Sequence, residues 1–212
     1  MSGEAAAACL ALAEALASRM AHDASGSLQA LVAAVELLSA EDEAVRAEAS
    51  SLAAEAVQRL RARIGLLRAA WGRPSAPLSL EAIVQLVSEG VGPPAVTIDF
   101  GRLEPGPWAV EGYDRVLLNA LLVAAESLPR GGGVLCAGTT QGEIALAILG
   151  EGAAWLPGLA AVAAGEDPLG LVEPRRLAVC MLALVARRHG VALSLLLGGS
   201  LPLLLLRPAA PG

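Results

Sequence analysis

The stretch "SRMAHDASGSLQALVAAVELL", Ser18 to Leu38, decides the fold of the first part of the chain, because its apolar residues recur at helical spacing. On a helical wheel of about 100° per residue, one stripe holds Met20, Leu28, Leu31, Val35 and Leu38. His22, one of two histidines in the chain, falls about 170° from the centre of that stripe. The pattern predicts a helix that buries one face and presents His22 to water on the other.

Two long helices are predicted before residue 72. The first runs from about Glu4 to Leu38, and the second ends at Gly72, before Pro74. Ser39, with Asp42 three residues later, resembles a capping box at the start of the second helix. So short a connection folds the helices back antiparallel. A single hairpin of two helices leaves apolar surface exposed to water, so we expect a homodimer whose two hairpins form a four-helix bundle.

The remainder of the chain mixes helix and strand after a linker, "GRPSAP". Helices are predicted at "LSLEAIVQLVSEG", Tyr113–Leu128, Ala153–Ala164 and Pro174–His189. Strands are predicted at "PAVTIDF", "WAVEG", "GGVLCAGTT" and "EIALAILG", with a turn near Gly142, and as a pair within Val191–Leu206. This order favours a mixed sheet with helices on one face. We therefore predict an α+β chain: a helical hairpin at 1–72, a linker at 73–77 and an α/β domain at 78–212.

Composition and charge exclude several classes of protein. Hydrophobic residues make up 55% of the chain and aromatics 2%, which favours closely packed helices and a buried subunit interface. A net charge of −6 argues against a nucleic-acid partner, since phosphate binding needs a basic surface. The segment "QRLRARIGLLRAAWGR" is nonetheless strongly basic. It suits an acidic or phosphorylated protein partner.

No segment predicts a membrane span or a secretion signal. The longest apolar run, "VALSLLLGGSLPLLLL", is too short and is interrupted by Gly-Gly and proline. The N-terminus has no basic region and carries Glu4 and Glu14, so we expect a cytoplasmic protein. The odd number and wide spacing of the cysteines predict small core residues rather than disulfides or a metal site. They are Cys9, Cys136 and Cys180.

The chemistry of an exposed His22 admits several interpretations. Most isolated surface histidines have no role. Metal ligation is weakly supported, because no second histidine lies three or four residues away and no cysteine or carboxylate cluster joins it. A neutral imidazole is also a nucleophile that can accept a phosphoryl group from an acyl phosphate and pass it to another carboxylate. Asp23 could hydrogen-bond the ring and set its tautomer.

Residues near His22 fit an approach by a second protein. The outer face of the helix is small or polar at Ser18, Ser25, Gly26 and Gln29. Arg19, one turn before His22, can neutralise charge on a transferring phosphoryl group. In a hairpin that turns near Ala40, Arg59 and Arg63 come to the level of His22, although ordinary solvated arginines would look the same.

Several of these segments together resemble one family. "SRMAHDASGSLQALVAAVELL" resembles the phosphorylation helix of the ChpT-type histidine phosphotransferases, "RARIGLLRAAWG" is similar to the end of their second helix, and "RVLLNALLVAAESLPRGGGVLCAG" is similar to their C-terminal domain. The resemblance spans nearly the whole chain. It implies a dimeric phosphorelay protein with a degenerate histidine-kinase ATPase-like domain and His22 as phosphoacceptor.

The resemblance also implies partners. The receiver domain of a hybrid kinase would donate the phosphoryl group, and the receiver of a response regulator would accept it. Mg²⁺ would be held by the receiver, so no cofactor is expected on this chain. One departure is that "ASGSLQAL" follows His22-Asp23, where bulkier apolar residues and a proline are expected. It bears on receiver preference more than on chemistry.

Two other functions stay open. A sensor kinase core would use Asn119 to bind metal and ATP, but the chain has only a vestige of the Asp-x-Gly-x-Gly turn and no glycine-rich lid. We expect Asn119 to be a helix or sheet contact. A non-catalytic dimeric adaptor would dock receivers without using His22. His189 is interpreted as a helix C-terminal residue, and "PRGGG" as a turn, since it follows a helix instead of preceding one.

Overall fold

Two long helices form a hairpin at the start of the computed structural model, which describes residues 3–73, 76–91, 94–198 and 201–209. Helix α1 is Gly3–Leu37 and α2 is Glu43–Trp71, close to the predicted bounds. The prediction that Ser39 caps α2 is wrong. Asp42 is the cap, because its side chain accepts a hydrogen bond from the Ala44 amide at 2.8 Å.

Four more helices and five strands follow. The helices are α3 (Leu80–Gly90), α4 (Tyr113–Glu126), α5 (Leu159–Ala163) and α6 (Leu177–Arg188), and a short 3-10 helix covers Pro168–Leu171. The strands are β1 (Val96–Glu104), β2 (Gly132–Thr139), β3 (Ile144–Leu149), β4 (Val191–Leu196) and β5 (Leu203–Pro208). Their order in the sheet is β1-β2-β3-β5-β4. The β1–β2 pair is parallel and the others are antiparallel, so the predicted α+β class is confirmed.

Two predicted elements differ from the structure. "WAVEG" is not a strand, because Gly112 adopts a left-handed conformation with φ of 78° and turns the chain into α4. A side chain at Gly112 would also collide with the ring of His189. The helix predicted at 153–164 is reduced to α5, since Pro157 and Gly158, with φ of 93°, interrupt it.

The main core lies between the sheet and helices α4 and α6. Helix α4 is buried from Tyr113 to Ala125, almost its entire length. Cys136 and Cys180 are buried as predicted, whereas Cys9 is exposed on α1. The prediction that Cys9 is a core residue is therefore wrong for the single chain, because this part of α1 has no layer packed over it.

A buried polar junction joins the end of α2 to α4. The Trp71 indole donates a hydrogen bond to Asn119 Oδ1 at 3.0 Å, and Asn119 Nδ2 donates to the Ala70 carbonyl at 3.2 Å. Arg115 donates to the carbonyls of Ala70 and Gly72 at 3.1 and 2.8 Å. These bonds satisfy the free carbonyls at the end of α2, and they confirm that Asn119 is a structural contact.

The predicted division into domains stays a prediction. Leu66 and Ala70 of α2 are fully buried in the same apolar cluster as α4 and the sheet, so the hairpin shares a core with the second part. Within the predicted linker, Pro74 and Ser75 lie outside the described residues. The turn of the predicted β4–β5 pair likewise includes two positions, 199 and 200, outside them.

Replacing Asn119 by alanine tests the junction. The variant removes the acceptor of the Trp71 indole N–H and the donor to the Ala70 carbonyl, so we expect a loss of about 1–3 kcal/mol in the free energy of unfolding, measured by urea denaturation. Gln85→Ala is the control, because Gln85 is exposed and its side chain donates to the exposed Glu89. Equal effects of the two substitutions would contradict the structural role of Asn119.

Candidate functional site

His22 lies on α1 with its imidazole in solvent. Its side chain is 86% exposed, as the helical wheel predicts. Its hydrogen-bond partner among the described residues is Asp23, whose Oδ1 lies 3.5 Å from Nδ1. Because Nδ1 faces the carboxylate, Nε2 lies on the opposite edge of the ring. The imidazole is therefore open to an incoming molecule, while its role as a nucleophile stays a prediction.

Asp23, the next residue, points inward and is held by two arginines. Its side chain is only 12% exposed. Arg63 of α2 donates to Asp23 Oδ2 from Nε at 2.9 Å and from Nη2 at 2.6 Å. Arg19 Nε lies 3.1 and 3.2 Å from the two carboxylate oxygens. Burial by itself raises the pKa of Asp23, but the hydrogen bonds and charge of Arg63, with the charge of Arg19 and the hydrogen bond from His22, hold that pKa below its usual range.

The two arginines also contact the second part of the chain. Arg19 Nη2 donates to Glu126 Oε1 of α4 at 2.6 Å, and Arg63 Nη1 reaches the Gly90 carbonyl of α3 at 3.5 Å. Burial alone lowers the pKa of Arg19, but the charges and hydrogen bonds of Glu126 and Asp23 outweigh it and raise that pKa. Both guanidinium groups are therefore engaged by partners within the protein.

Sequence analysis missed Glu126. It lies 107 residues from Arg19, on the last turn of a helix whose sequence carries no local sign of that partner. Arg63 does reach the His22 region, at Asp23. Arg59 does not join this group, since its described partner is Glu55 at 3.3 Å and both side chains are mostly exposed.

The surface around His22 is open and lacks bulky side chains. Four predicted docking residues are exposed: Ser18, Ser25, Gly26 and Gln29. The Ser25 hydroxyl donates to the Ala21 carbonyl of its own helix at 2.7 Å. A Cβ added at Gly26 would meet nothing within 4 Å. A partner's surface could thus approach His22 along this face.

The other residues weighed from sequence have structural roles. His189 is the C-terminal cap residue of α6. "PRGGG" forms a turn in which the Gly131 amide donates to the Leu128 carbonyl at 3.0 Å. Two cavities stand out in the described part of the chain, one beside Gly142 and Arg207 and one beside Val162 and Ala183. Neither is lined by Asn119, whose amide is already occupied at the α2–α4 junction.

Comparison with known proteins bears on this second part. Residues 104–200 match the family model described as the histidine phosphotransferase C-terminal domain. The chain carries a histidine phosphotransferase C-terminal domain. The resemblance to ChpT-type histidine phosphotransferases is thereby confirmed. This matched segment includes α4 and Glu126 and leaves out α1 and His22.

Solved structures agree on the fold of this chain. A bacterial phosphotransferase determined at 1.7 Å superimposes with a TM-score of 0.74 at 20% identity, over 93% of this chain and 96% of that one. Full-length ShkA in complex with AMPPNP matches at 19% identity over 93% of this chain and 47% of that chain, with a TM-score of 0.39. No curated protein matches significantly. Within the described ranges, no helix combines the length and hydropathy that a membrane crossing needs.

Asp23→Asn tests the arginine-bound carboxylate. At neutral pH the variant removes the charge that Arg19 and Arg63 face, so we expect it to lower the free energy of unfolding by about 2 kcal/mol. Because the folded pKa of Asp23 is lowered, its stabilisation is complete above the usual aspartate pKa and is lost as the pH falls through the lower folded value. Urea denaturation should therefore show the difference from wild type shrinking in acid.

The matched control is Glu48→Gln, which removes a carboxylate from the exposed face of α2. It should change stability by less than about 0.5 kcal/mol. A gap between wild type and Asp23→Asn that widens in acid would contradict the lowered pKa.

Proposed function

We propose that this protein is a phosphorelay intermediate that accepts a phosphoryl group on His22 from one receiver-domain aspartate and passes it to another. The observation that carries the proposal is the exposed imidazole backed by Asp23, in a chain with a histidine phosphotransferase C-terminal domain. The donor would be a hybrid kinase's receiver, and the acceptor a response regulator.

The chemistry follows from the position of Asp23. When Nδ1–H donates to Asp23 Oδ1, the lone pair of the ring is on Nε2, on the solvent side. That pair attacks the phosphorus of the donor's acyl phosphate. The N–P bond forms as the bond from phosphorus to the donor carboxylate oxygen breaks, and its electron pair stays on the donor carboxylate.

The second transfer reverses these roles. A carboxylate oxygen of the acceptor receiver attacks phosphorus, and the N–P bond breaks with its electron pair returning to Nε2. The Asp23 carboxylate stabilises positive charge on the phosphorylated ring by accepting from Nδ1–H. Arg63 and Arg19 keep that carboxylate ionised and fixed. We propose that Mg²⁺ is supplied by the receiver and that this chain holds no cofactor.

Receiver docking is assigned to the open face around His22. Small and polar residues there leave room for the loops that surround a receiver's aspartate. Arg59, with about half of its side chain exposed, offers a cation to an acidic receiver surface. In this proposal Arg19 and Arg63 act mainly by fixing the position of the Asp23 carboxylate. Their N–H groups already donate to Asp23, to Glu126 and to the Gly90 carbonyl. A cytoplasmic location of the relay is part of this proposal.

Kinase activity with ATP is not part of the proposal. Asn119, the position where a kinase would bind metal and nucleotide, is buried with 1% exposure and bonds to the end of α2. Trp71 thus lies where a nucleotide would need access to that amide. A receiver-docking adaptor would fit the same open surface, but it would not require His22.

His22→Ala separates these functions. Radiolabel should pass from a phosphorylated receiver to the wild type and on to a second receiver, and the variant should lose both transfers completely. Its stability should stay within about 0.5 kcal/mol of wild type, because the imidazole is exposed. Gln58→Ala, an exposed polar residue on α2, is the control and should relay normally.

Three results would contradict the relay. Labelling of His22 by ATP alone would favour a kinase. Partner activity that survives His22→Ala would favour an adaptor. A wild type that takes label from none of the receivers encoded in its own genome would leave no donor for the relay.

We also propose that the protein acts as a homodimer through its hairpin. The single chain leaves large apolar side chains in solvent along one side of α1, with 47–61% of their surface exposed: Leu10, Met20, Leu28, Val32 and Val35. On α2, Leu52 and Ile64 are also exposed, at 41% and 48%. Pairing two hairpins in a four-helix bundle would bury both sets.

A double substitution, Leu28→Asp with Val35→Asp, tests the dimer. Two carboxylates in an apolar interface would have to be desolvated, so sedimentation velocity should show a monomer. Gln29→Asp adds a charge to the outer face and should leave the dimer intact. A wild type that sediments as a monomer at every concentration would overturn the dimer proposal.

A further inference from the structure

We propose that Glu126 is a positioning residue for His22, acting through Arg19 and Asp23; this inference rests on the proposed function. A continuous series of contacts links them. Glu126 Oε1 lies 2.6 Å from Arg19 Nη2, Arg19 Nε lies 3.1 Å from Asp23 Oδ1, and that same oxygen lies 3.5 Å from His22 Nδ1. The second part of the chain thereby reaches the imidazole.

Charge is balanced among the four ionised side chains of this group. Arg19 and Arg63 face Asp23 and Glu126, and between 12% and 26% of each side chain is exposed. Asp23 Oδ2 accepts two short hydrogen bonds from Arg63. Its other oxygen, Oδ1, is shared between Arg19 and His22. The His22 contact is the longest of those that Asp23 makes, so it is the easiest to displace.

Glu126 prevents Arg19 from binding the Asp23 carboxylate through Nε and Nη2 together. A guanidinium prefers to bind a carboxylate with two parallel N–H donors. At present Arg19 Nη2 is bound to Glu126 and only Nε is directed at Asp23. Without the Glu126 carboxylate, Nη2 has no anionic partner and can turn to Oδ1, where it competes with His22 Nδ1. The ring then loses the contact that selects its tautomer.

The Glu126 contact gives the C-terminal domain a positioning role, and that role requires no bound nucleotide. The Gly90 carbonyl at the end of α3 and Glu126 at the end of α4 both meet the arginines that hold Asp23. The negative end of the α3 dipole therefore faces Arg63, and the Glu126 carboxylate faces Arg19. Through these contacts the domain would set the orientation of a histidine that lies on a different helix.

The test uses the 212-residue chain with Glu126→Gln, which removes the charge and keeps the shape. Phosphoramidate, a small phosphoryl donor, measures the reactivity of His22 without docking, and a phosphorylated receiver measures kcat and KM. We expect the phosphoramidate rate and kcat to fall about tenfold, because a small misplacement of a reacting group is costly. KM should change less than about twofold, because the docking face is elsewhere.

A second variant distinguishes competition from a general structural defect. Adding Arg19→Met to Glu126→Gln removes the guanidinium that would displace His22 from Asp23. The double variant should therefore label faster with phosphoramidate than Glu126→Gln alone. Glu143→Gln is the control, since it removes an exposed ion pair with Arg207 just before β3 and should behave as wild type.

Long-range ¹H–¹⁵N spectra of the two histidines provide a readout that is independent of relay. The wild type should carry the His22 proton on Nδ1, and Glu126→Gln should show a mixture of tautomers. An unchanged tautomer, a defect confined to KM, or a double variant slower than the single one would each overturn the positioning role. A wild type that no donor phosphorylates would overturn the proposed function as well, whatever the tautomer shows.

Discussion

The ion-paired carboxylate of Asp23 is the interaction on which the site depends. It ties α1 to α2 through Arg63, it connects to α4 through Arg19 and Glu126, and among the described residues it is the hydrogen-bond partner of the His22 ring. An aspartate in this position would be costly to bury unpaired. Two arginines and a balancing glutamate make an ionised Asp23 stable beside a histidine that is otherwise in water.

The hairpin and the α/β part are joined by a second polar group at the end of α2. There Asn119 and Arg115 donate to carbonyls that the helix end would otherwise leave without a partner, and the Trp71 indole donates to the Asn119 side chain. This junction lies near the start of α4, and the Glu126 contact lies at its end. Helix α4 is thus attached to the hairpin at both ends, which places the C-terminal domain beside His22 while the imidazole stays accessible.

The same hairpin leaves an apolar stripe without a partner. Close packing between α1 and α2 relies on small residues such as Ala34, Ala49 and Ala56, which are buried, while large apolar side chains such as Leu28 and Val35 face solvent. A single chain therefore separates two surfaces on α1: a polar face around His22 and an apolar face suited to a second copy. This separation would allow assembly and docking without competition for the same residues.

Local periodicity by itself determined the two long helices, the exposure of His22 and the β2–β3 hairpin, because each depends on neighbours within a few residues. It failed at "WAVEG" and at 153–164, where left-handed glycines at 112 and 158 redirect the chain. It also failed at the N-terminal cap of α2, where the side chain of Asp42 and not that of Ser39 accepts the hydrogen bond from a backbone amide. It also could not show that Cys9 would be exposed. Only the tertiary structure decided that Glu126 binds Arg19 and that the Trp71 indole hydrogen-bonds to Asn119. Contacts between residues so far apart in sequence depend on how the helices pack together, and the local spacing of residues does not indicate them.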